Sequence, residues 1–295
     1  MKDTFGYVTR AAINKLDAGA GVAALYRRLR DCRFRRRYGE ITRFSLRFGD
    51  VTVVFSTEDY RSKFWFFPRY DGGKLHEEPA AKLMIQQFRS ARCFADVGAH
   101  LGYYTCLACK FVPGGTIYAF EMDRFNYSLL EENLKLNGCE NVYALNVAVS
   151  DTSGVASYAC KSERLSPMLR LSTGTSPTDS DKVIPVQVIS LDEYFHNREI
   201  PDLVKIDVEG AEMKVLEGMS RILEKVSPKL FIEVHPSELS DFRSSAREVV
   251  QTLLDRDYRV YEIADLRMHT GEVKLRELDA DFRMVFNSML YAQKG

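Results

Sequence analysis

The chain lacks several features that would place it in a specialised class of protein. No apolar run approaches the 18 residues of a membrane-spanning helix, and the first residues lack the apolar core of a signal peptide. Forty-one basic residues balance forty-one acidic residues, so no overall field draws the protein to nucleic acid or to a membrane. There is no internal repeat. With 45% hydrophobic and 28% charged residues, these absences favour a globular, cytoplasmic enzyme.

Cysteine is also scarce, and its positions are scattered. The six cysteines are Cys32, Cys93, Cys106, Cys109, Cys139 and Cys160. Most of them lie in apolar segments, so we expect reduced, buried thiols in a reducing compartment. The Cys-x-x-Cys pair at 106 and 109 has no second pair to complete a metal site, and we interpret it as core packing.

The most informative segment that is present is a glycine turn after a short apolar strand. Asp96 ends this strand, and Gly98 and Gly102 follow it at a Gly-x-x-x-Gly spacing before a helical pattern. The third glycine of a pyrophosphate-binding turn is missing. Nineteen residues after Gly102, a second apolar strand ends in Glu121, which can accept both hydroxyl protons of a ribose. The pattern predicts a site for a nucleotide-like cofactor.

From about residue 90 the sequence alternates between strand and helix patterns. The predicted strands are 94–98, 116–121, 142–149, 202–208 and 229–235, and the predicted helices lie near 101–111, 125–137, 211–225 and 243–256. This alternation predicts an α/β domain over 90–295, with a mostly parallel sheet and helices on both faces. Two further strands, 258–263 and 285–292, have no helix between them and predict an antiparallel hairpin that closes the sheet edge.

Residues 1–89 form a predicted N-terminal extension of helices and a β-hairpin. Gly49-Asp50 marks the hairpin turn, and Pro79 opens a helix. The aromatic stretch 64–68 is either core or lid. Seven arginines within residues 27–37 form either a solvated helix face, which we favour, or a peripheral contact with anionic lipid. The segment 160–182, rich in Ser, Thr, Pro and Asp, is either a lid or a disordered segment.

Polar side chains follow the later predicted strands at their carboxyl ends. Residues two apart on a strand point the same way, which pairs Asp207 with Glu209 and Glu233 with His235. If the two strands are close, these groups converge beside the cofactor. The alternatives are that Asp207 caps the next helix, that Glu209 pairs with Lys205 or an arginine, and that His235 is a hydrogen-bonded strand-end histidine.

Several motifs occur in a consistent order along the chain. They are Asp96-Val-Gly-Ala-His-Leu-Gly-Tyr-Tyr-Thr, Tyr118-Ala-Phe-Glu-Met-Asp-Arg-Phe-Asn, Ala148-Val-Ser-Asp, Ser190-Leu-Asp-Glu-Tyr, Lys205-Ile-Asp-Val-Glu-Gly-Ala-Glu and Ile232-Glu-Val-His-Pro. Over about residues 90–240 they resemble the FkbM family of S-adenosylmethionine-dependent methyltransferases. The resemblance implies a class I methyltransferase (Rossmann-like) fold, with a seven-stranded sheet whose final strand is reversed. It also implies O-methylation of a sugar, glycan, glycolipid or polyketide-type hydroxyl.

The same resemblance implies a set of cofactor-binding residues. They are Glu78, Asp96, Gly98, His100, Gly102, Tyr103, Glu121, Met122, Asp151 and Asp207. In this set Asp96 and the two glycines shape the pocket around the methionine part, Glu121 holds the ribose, and Asp151 lies near the adenine. His100 stands where the family usually has asparagine. Met122-Asp123 replaces the family's usual proline-containing step.

The predicted catalytic residues are Asp207, His235 and Glu209. We expect Asp207 and His235 to remove the acceptor's proton together, since the reference pKa of histidine, about 6.5, suits a base at neutral pH. Glu209 then orients a ligand or closes the pocket. A divalent cation held by Asp207 and Glu209 is another way to polarise the hydroxyl.

Two other functions share parts of this pattern. A nicotinamide-dependent oxidoreductase would use the same turn and Glu121, but the chain lacks the third glycine and a Tyr-x-x-x-Lys pattern. A catalytically silent S-adenosylmethionine-binding protein would keep the fold alone. The expected partner is a small-molecule or glycan acceptor and not a nucleic acid. The sequence indicates neither the acceptor's identity nor the oligomeric state.

Overall fold

The computed structural model describes residues 20–112, 114–161, 181–269 and 272–295. The predicted structure of residues 1–19 and most of the predicted lid or disordered segment at 160–182 lie outside these ranges. The helices are α1 (Ala20–Tyr38), α2 (Tyr60–Phe66), α3 (Glu78–Phe88), α4 (Tyr103–Phe111), α5 (Arg124–Asn137), α6 (Leu191–Tyr194), α7 (Glu212–Glu217), α8 (Ser220–Lys225), α9 (Pro236–Leu239) and α10 (Ala246–Leu254), with a 3₁₀ turn at Ser240–Phe242. None of the helices in these ranges is long and apolar enough to span a membrane.

The strands confirm the predicted α/β architecture. They are β1 (Arg43–Phe48), β2 (Val51–Ser56), β3 (Cys93–Val97), β4 (Thr116–Phe120), β5 (Val142–Leu145), β6 (Ala148–Val149), β7 (Gly154–Lys161), β8 (Asp181–Ile189), β9 (Leu203–Ile206), β10 (Lys229–Val234), β11 (Arg259–Ile263), β12 (Leu275–Glu277) and β13 (Ser288–Gln293). The main sheet has the order β12-β11-β13-β10-β9-β3-β4-β5. The five strands β10, β9, β3, β4 and β5 are parallel to one another.

The last strands depart from the prediction in one respect. β13 is antiparallel to β10 on one side and to β11 on the other. It is thus inserted between them, and the hairpin does not close the edge; β12 forms that edge instead. Without β12, the sheet has the expected seven strands with a reversed final strand. The central strand β3 is buried along its whole length, as a strand covered by helices on both faces should be.

Two other elements differ from the predicted ones. The strand expected at 142–149 is divided, because Asn146 donates hydrogen bonds to the carbonyl oxygens of Glu121 and Met122, and β6 then pairs with β8 in a separate three-stranded sheet with β7. The helix expected at 211–225 is two helices, since Asp192 accepts the backbone amides of Arg221 and Ile222 and so caps the start of α8.

The N-terminal extension packs directly on the sheet domain. The predicted hairpin is confirmed, with β1 and β2 antiparallel around Gly49-Asp50. Asn133 and Asn137 of α5 accept the β2 amides of Ser56 and Val54 at 2.8 and 2.9 Å. Buried residues of both parts belong to one hydrophobic cluster. The division at residue 89 remains a prediction.

The cysteines are not all reduced thiols. Cys109 and Cys139 form a disulfide, with Cα atoms 5.7 Å apart across 30 residues of sequence. The expectation of a free thiol is therefore wrong for this pair, whereas Cys93 and Cys106 are free and buried as expected. No local pattern could reveal the pairing, because the packing of α4 against the end of α5 creates it.

The arginine side chains that the structure describes between residues 28 and 37 are all exposed. Contact of this cluster with lipid remains a prediction.

Candidate active site

The predicted glycine turn bonds to the end of β4 and packs against the turn that follows β9. Its Gly98 and Ala99 amides donate to the Phe120 carbonyl oxygen at the end of β4, at 2.9 and 3.0 Å. Gly98 has a φ of +79°, and a Cβ there would lie 1.8 Å from the carbonyl oxygen of Asp207. Only glycine fits this position. The turn therefore touches the backbone of a predicted catalytic residue.

Glu121 lies directly under this turn. One of its carboxylate oxygens accepts the His100 amide at 2.7 Å, and the other accepts the Asp123 amide at 2.8 Å. Burial raises the pKa of Glu121 to about 7, although both amide bonds oppose the rise. Each oxygen retains a lone pair for a further donor. This geometry fits a pair of vicinal ribose hydroxyls.

His100 occupies a strained backbone position in an aromatic box, which we define as Trp65, His76, His100 and Tyr103. Its φ of +54° is in the left-handed region, where asparagine and histidine are both enriched. Trp65 lies 4.9 Å from His76 and 6.0 Å from His100 between ring centroids. Burial lowers the pKa of His100 to about 4, so its ring is neutral. The box thus contains His100 and Tyr103, two of the residues predicted to bind the cofactor.

A buried lysine lies between Asp96, a predicted cofactor residue, and Asp207, a predicted catalytic residue. Lys205 Nζ lies 3.5 Å from Asp96 Oδ1 and 3.3 Å from Asp207 Oδ2. Thr105 donates a hydrogen bond to the other oxygen of Asp96 at 2.6 Å. Burial lowers the pKa of Lys205, but the charges of Asp207 and Asp96 outweigh it and raise that pKa above the usual range. Lys205 was not among the predicted site residues; its signal is a lysine inside an apolar strand.

His235 is the centre of an acid cluster, which we define as Asp207, Glu209, Glu212 and Glu233 around its ring. Nδ1 lies 2.7 Å from Glu212, and Nε2 lies 3.3 Å from Glu209, 3.7 Å from Glu233 and 3.9 Å from Asp207. The residue is only 2% exposed. Burial lowers the pKa of His235, but the Glu212 bond and the neighbouring carboxylates outweigh it and raise the pKa to about 10. At neutral pH the ring is an imidazolium, which argues against His235 as the proton acceptor.

The surrounding carboxyl groups have different protonation states. Burial raises the pKa of Asp207, but Lys205 and His235 outweigh it and hold that pKa below its usual range. Burial raises the pKa of Glu209 to about 7 against the charge of His235. Burial together with the charge of Asp207 raises the pKa of Glu233 well above its usual range. Near pH 7, therefore, Asp207 is ionised and Glu209 titrates, whereas Glu233 holds its proton more strongly than a free carboxyl group.

Asp207, Glu209, Glu233 and His235 converge as predicted, but the strand alternation from which this was predicted does not apply to Asp207 and Glu209. β9 ends at Ile206, so Asp207 and Glu209 lie in the following turn and not on the strand. Glu209 has a φ of +52°. Gly210, at +106°, packs so closely on Glu238 that a Cβ there would lie 2.8 Å from its backbone. Glu209 pairs with His235 and not with Lys205.

Three predicted cofactor residues have other surroundings. Glu78 pairs with Lys82 at 2.7 Å and with His269 at 3.1 Å. Its buried neighbour Glu77, with a φ of +46°, accepts a hydrogen bond from Tyr104, and its charge helps to raise the pKa of Glu233.

The other two lie away from the acid cluster. Asp151 pairs with Lys214 at 3.0 Å and accepts a hydrogen bond from Ser150 at 2.9 Å. Met122 packs on a small cluster around Ala148. The cofactor contacts of Glu78, Asp151 and Met122 remain predictions.

One subset of the acid cluster has the spacing of metal ligands. Asp207, Glu233 and His235 each offer one ligand atom, and these atoms lie within 4.8 Å of one another. However, His235 carries protons on both ring nitrogens at neutral pH and so presents no lone pair. A cation would have to displace that proton. The predicted pair of Asp207 and Glu209 is not this set.

The fold and the site together define a class of enzyme. Six strands that run in one direction with a reversed β13 among them, the glycine turn and Glu121 under it are those of a class I methyltransferase. The model of the methyltransferase FkbM domain matches residues 96–260, more than half of the chain. The chain belongs to this family, whose methyltransferases use S-adenosylmethionine.

Individual relatives are more distant. The hexuronic acid methyltransferase AglP of Haloferax volcanii is 27% identical over 188 residues, which are 61% of this chain and 74% of AglP. The crystal structure of an FkbM methyltransferase from Methylobacillus flagellatus is 19% identical with a TM-score of 0.44; the match covers 68% of this chain but only 43% of that longer chain. The O-methyltransferase TomG of Streptomyces achromogenes, solved with S-adenosylmethionine, is 13% identical with a TM-score of 0.44, over 80% of this chain and 86% of TomG.

Proposed function

We propose that the protein is an S-adenosylmethionine-dependent O-methyltransferase that acts on a hydroxyl of a sugar or glycan. The observation that carries this proposal is the contact of the glycine turn with the acid cluster, at Gly98 and Asp207. This contact would place the cofactor next to the acid cluster, whose carboxyl groups differ in pKa. The relative named as a hexuronic acid methyltransferase supports a sugar acceptor.

The residues present fit the cofactor at three places. Glu121 has one free lone pair on each oxygen for the ribose, as described above. Gly98 lets the turn take its left-handed conformation against the Asp207 carbonyl oxygen, where any Cβ would clash. Asp96 Oδ1 is buried and accepts no hydrogen bond from the described residues, although Lys205 lies near it. We propose that Asp96, Gly98, His100, Gly102 and Tyr103 surround the methionine part, with Glu121 on the ribose.

The bound cofactor supplies a methyl group already activated on a sulfonium, so the protein contributes positioning and proton transfer. A sugar hydroxyl is a poor nucleophile and gains from a base that takes its proton as the new bond forms. With a pKa of about 7, Glu209 is the carboxylate in the cluster whose proton affinity matches that task. We therefore propose that Glu209, and not His235, takes the proton of the acceptor hydroxyl.

The other members of the cluster hold Glu209 in place. The His235 imidazolium lies 3.3 Å from it, and Glu212 fixes the far side of that ring at 2.7 Å. Asp207, ionised between Lys205 and His235, accepts from the acceptor's hydroxyl or orients it in line with the methyl group. Such orientation contributes up to about 7–11 kcal/mol to catalysis when it is complete.

The alternative mechanism for activating the hydroxyl has a divalent cation in place of the proton on His235. Bound to Asp207, Glu233 and His235, it would polarise the hydroxyl directly. The two cases differ in their response to chelation. Activity that survives EDTA and gains nothing from Mg²⁺ or Mn²⁺ supports the mechanism with a protonated His235. Activity that requires a divalent ion supports the mechanism with a bound cation.

The function is tested by incubating the protein with S-adenosylmethionine and a panel of neutral and acidic glycans. We expect S-adenosylhomocysteine to form, and NMR of the product to show an O-methyl signal. Calorimetry distinguishes the alternative functions. Tight binding of NAD and none of S-adenosylmethionine would favour an oxidoreductase. Binding of S-adenosylmethionine with no turnover on any acceptor would favour a silent binding protein.

A further inference from the structure

The inner face of α1 fixes this helix to the rest of the protein. Phe34 and Tyr38, one turn apart, are both buried. The ring centroid of Phe34 lies 5.8 Å from that of Tyr60 and 5.6 Å from that of Phe64, both in α2. The ring of Tyr38 stacks on Phe67 at 4.7 Å. These contacts set the rotation of α1 about its own axis, so the residues half a turn away face outwards.

The outer face of α1 carries an apolar strip, which we define as Leu25, Leu29 and Cys32. Their spacing of four and three residues places them in line along one side of the helix. Leu25 is 57% exposed, Leu29 is 58% exposed, and Cys32 is exposed as well. A single exposed leucine needs no explanation, but an aligned pair beside a thiol gives this helix a continuous apolar side.

Arginines surround the apolar strip. Arg36 continues its line by one further turn, and Arg28 and Arg33 flank it on either side. All three are exposed and form no ion pair with the residues that the structure describes. An arginine can lay its methylene stem along an apolar surface while its charged end stays in a polar environment. The outer face of α1 therefore has an apolar centre and a basic rim.

The charge of this helix is not cancelled by its neighbours. Three acids lie within α1, pair with it or follow it directly, namely Asp31, Asp71 and Glu40. Arg30 pairs with Asp31 at 3.1 Å, and Arg37 pairs with Asp71 at 3.2 Å. The adjoining segment 58–63 has two acidic and two basic residues and adds no net charge. Seven arginines thus face three acids, which leaves an excess of four positive charges on α1.

An anionic membrane matches this face better than other partners do. Helices with basic residues beside an apolar face lie in the bilayer interface, with the apolar side chains among the acyl chains and the cations at the lipid headgroups. The phosphate backbone of a nucleic acid would attract the arginines but offers the leucines no apolar partner. A second copy of α1 would bring two basic rims together. The zero net charge of the chain does not oppose binding, because charges beyond a Debye length of about 8 Å are screened.

We infer that the outer face of α1 binds the surface of an anionic phospholipid membrane, with the apolar strip inserted among the acyl chains and Arg28, Arg33 and Arg36 on the lipid phosphates. The sequence alone favours a solvated helix face here, but it does not show that the leucines and these arginines share the exposed side. The inference does not depend on the proposed methyl transfer.

Docking through α1 would hold the proposed active site near the membrane. Phe34 of α1 packs on Phe64 in α2, and the next residue, Trp65, belongs to the aromatic box. Trp65 lies 6.0 Å from His100 between ring centroids. α2 therefore contacts both the docking helix and the box that contains predicted cofactor residues.

The test measures co-sedimentation of the whole chain with phospholipid vesicles. One set of vesicles is phosphatidylcholine alone, and the other also contains about 30% phosphatidylserine, which supplies the negative surface. The double variant Leu25→Gln, Leu29→Gln removes the leucines of the strip. The double variant Arg33→Gln, Arg36→Gln removes two charges of the rim. Glutamine has a helix propensity close to those of leucine and arginine, so both variants should keep α1.

The matched control is the double variant Lys225→Gln, Arg247→Gln. These two basic residues are exposed on α8 and α10, which pack on a different hydrophobic cluster from α1. The control removes the same amount of charge from the chain at a distance from the proposed surface. Thermal melting of all three variants checks that they fold like the wild-type protein.

We expect the wild-type protein to bind the anionic vesicles roughly tenfold or more tightly than the neutral ones, and the arginine and leucine variants each to lose roughly tenfold or more in affinity. The control should bind like wild type. Equal binding to the two vesicles, no binding to the anionic ones, or wild-type binding by the arginine variant would overturn the inference. Binding that needs the arginines but not the leucines, and that an RNA oligonucleotide competes away, would also overturn it and favour a nucleic acid.

Discussion

Replacing Glu209 by glutamine tests the assignment of the proton acceptor most directly. Glutamine keeps the shape of the side chain but cannot take a proton. General base catalysis typically contributes 10²–10⁴-fold, so we expect kcat to fall by about that factor, or roughly 3–5 kcal/mol in activation free energy. The pKa of Glu209 also fixes the pH at which the wild-type rate should change.

The sign of this pH dependence follows from the carboxylate being the active form. With a pKa of about 7, about a tenth of Glu209 is ionised at pH 6 and about nine-tenths at pH 8. The wild-type rate should therefore rise roughly tenfold between these values. The rate should fall again as His235 loses its proton near its pKa of about 10. Glu209→Gln should lose the rise and keep the fall.

The assay is the release of S-adenosylhomocysteine at saturating S-adenosylmethionine. Saturation matters because Glu121 has a pKa of about 7 as well, and its titration should change the KM for the cofactor. Glu224→Gln, at an exposed helix position, is the matched control. A Glu209→Gln protein that folds normally, keeps the wild-type rate and keeps its rise with pH would refute the assignment.

Three further predictions concern the cofactor pocket and the histidine. Glu121→Gln should weaken cofactor binding by roughly tenfold or more by calorimetry, since it removes a charged acceptor; wild-type affinity would contradict the ribose role. Gly98→Ala should lower the melting temperature and abolish cofactor binding, because its Cβ meets the Asp207 carbonyl oxygen; normal melting would contradict the packing. His235→Gln should destabilise the fold by about 3–5 kcal/mol in denaturant titrations near neutral pH. Because the folded pKa of His235, about 10, exceeds its unfolded value, the stabilisation should be complete below about pH 6.5 and be lost towards pH 10; a difference that stays constant over this window would contradict the imidazolium.

The parts of the fold predicted from sequence are those set by local periodicity. The parallel strands and the hairpin at Gly49 were predicted because apolar alternation and turn residues are local signals. The insertion of β13 between β10 and β11, the pairing of β6 with β8 and the Cys109–Cys139 disulfide depend on contacts between distant segments. No window of sequence contains both partners of such contacts.

The candidate site shows the same division. The types and spacing of Asp96, Gly98 and Glu121 indicated a cofactor pocket, and the structure brings them together. The proton affinities were not predictable, because the pKa of His235 depends on Glu212 and Glu209, which reach it through a turn and a separate helix. Glu77, whose charge acts on Glu233, was not among the predicted residues, because no local pattern marks its buried position at the start of α3.

Lys205 makes the two halves of the site inseparable. Its one ammonium group pairs with Asp96, which we propose to lie at the cofactor, and with Asp207, which we propose to lie at the acceptor. A change to a neutral residue would leave the buried Asp96 without a counter-ion and would leave the partly exposed Asp207 with His235 alone. Substitutions at these three positions should therefore be tolerated only in combination.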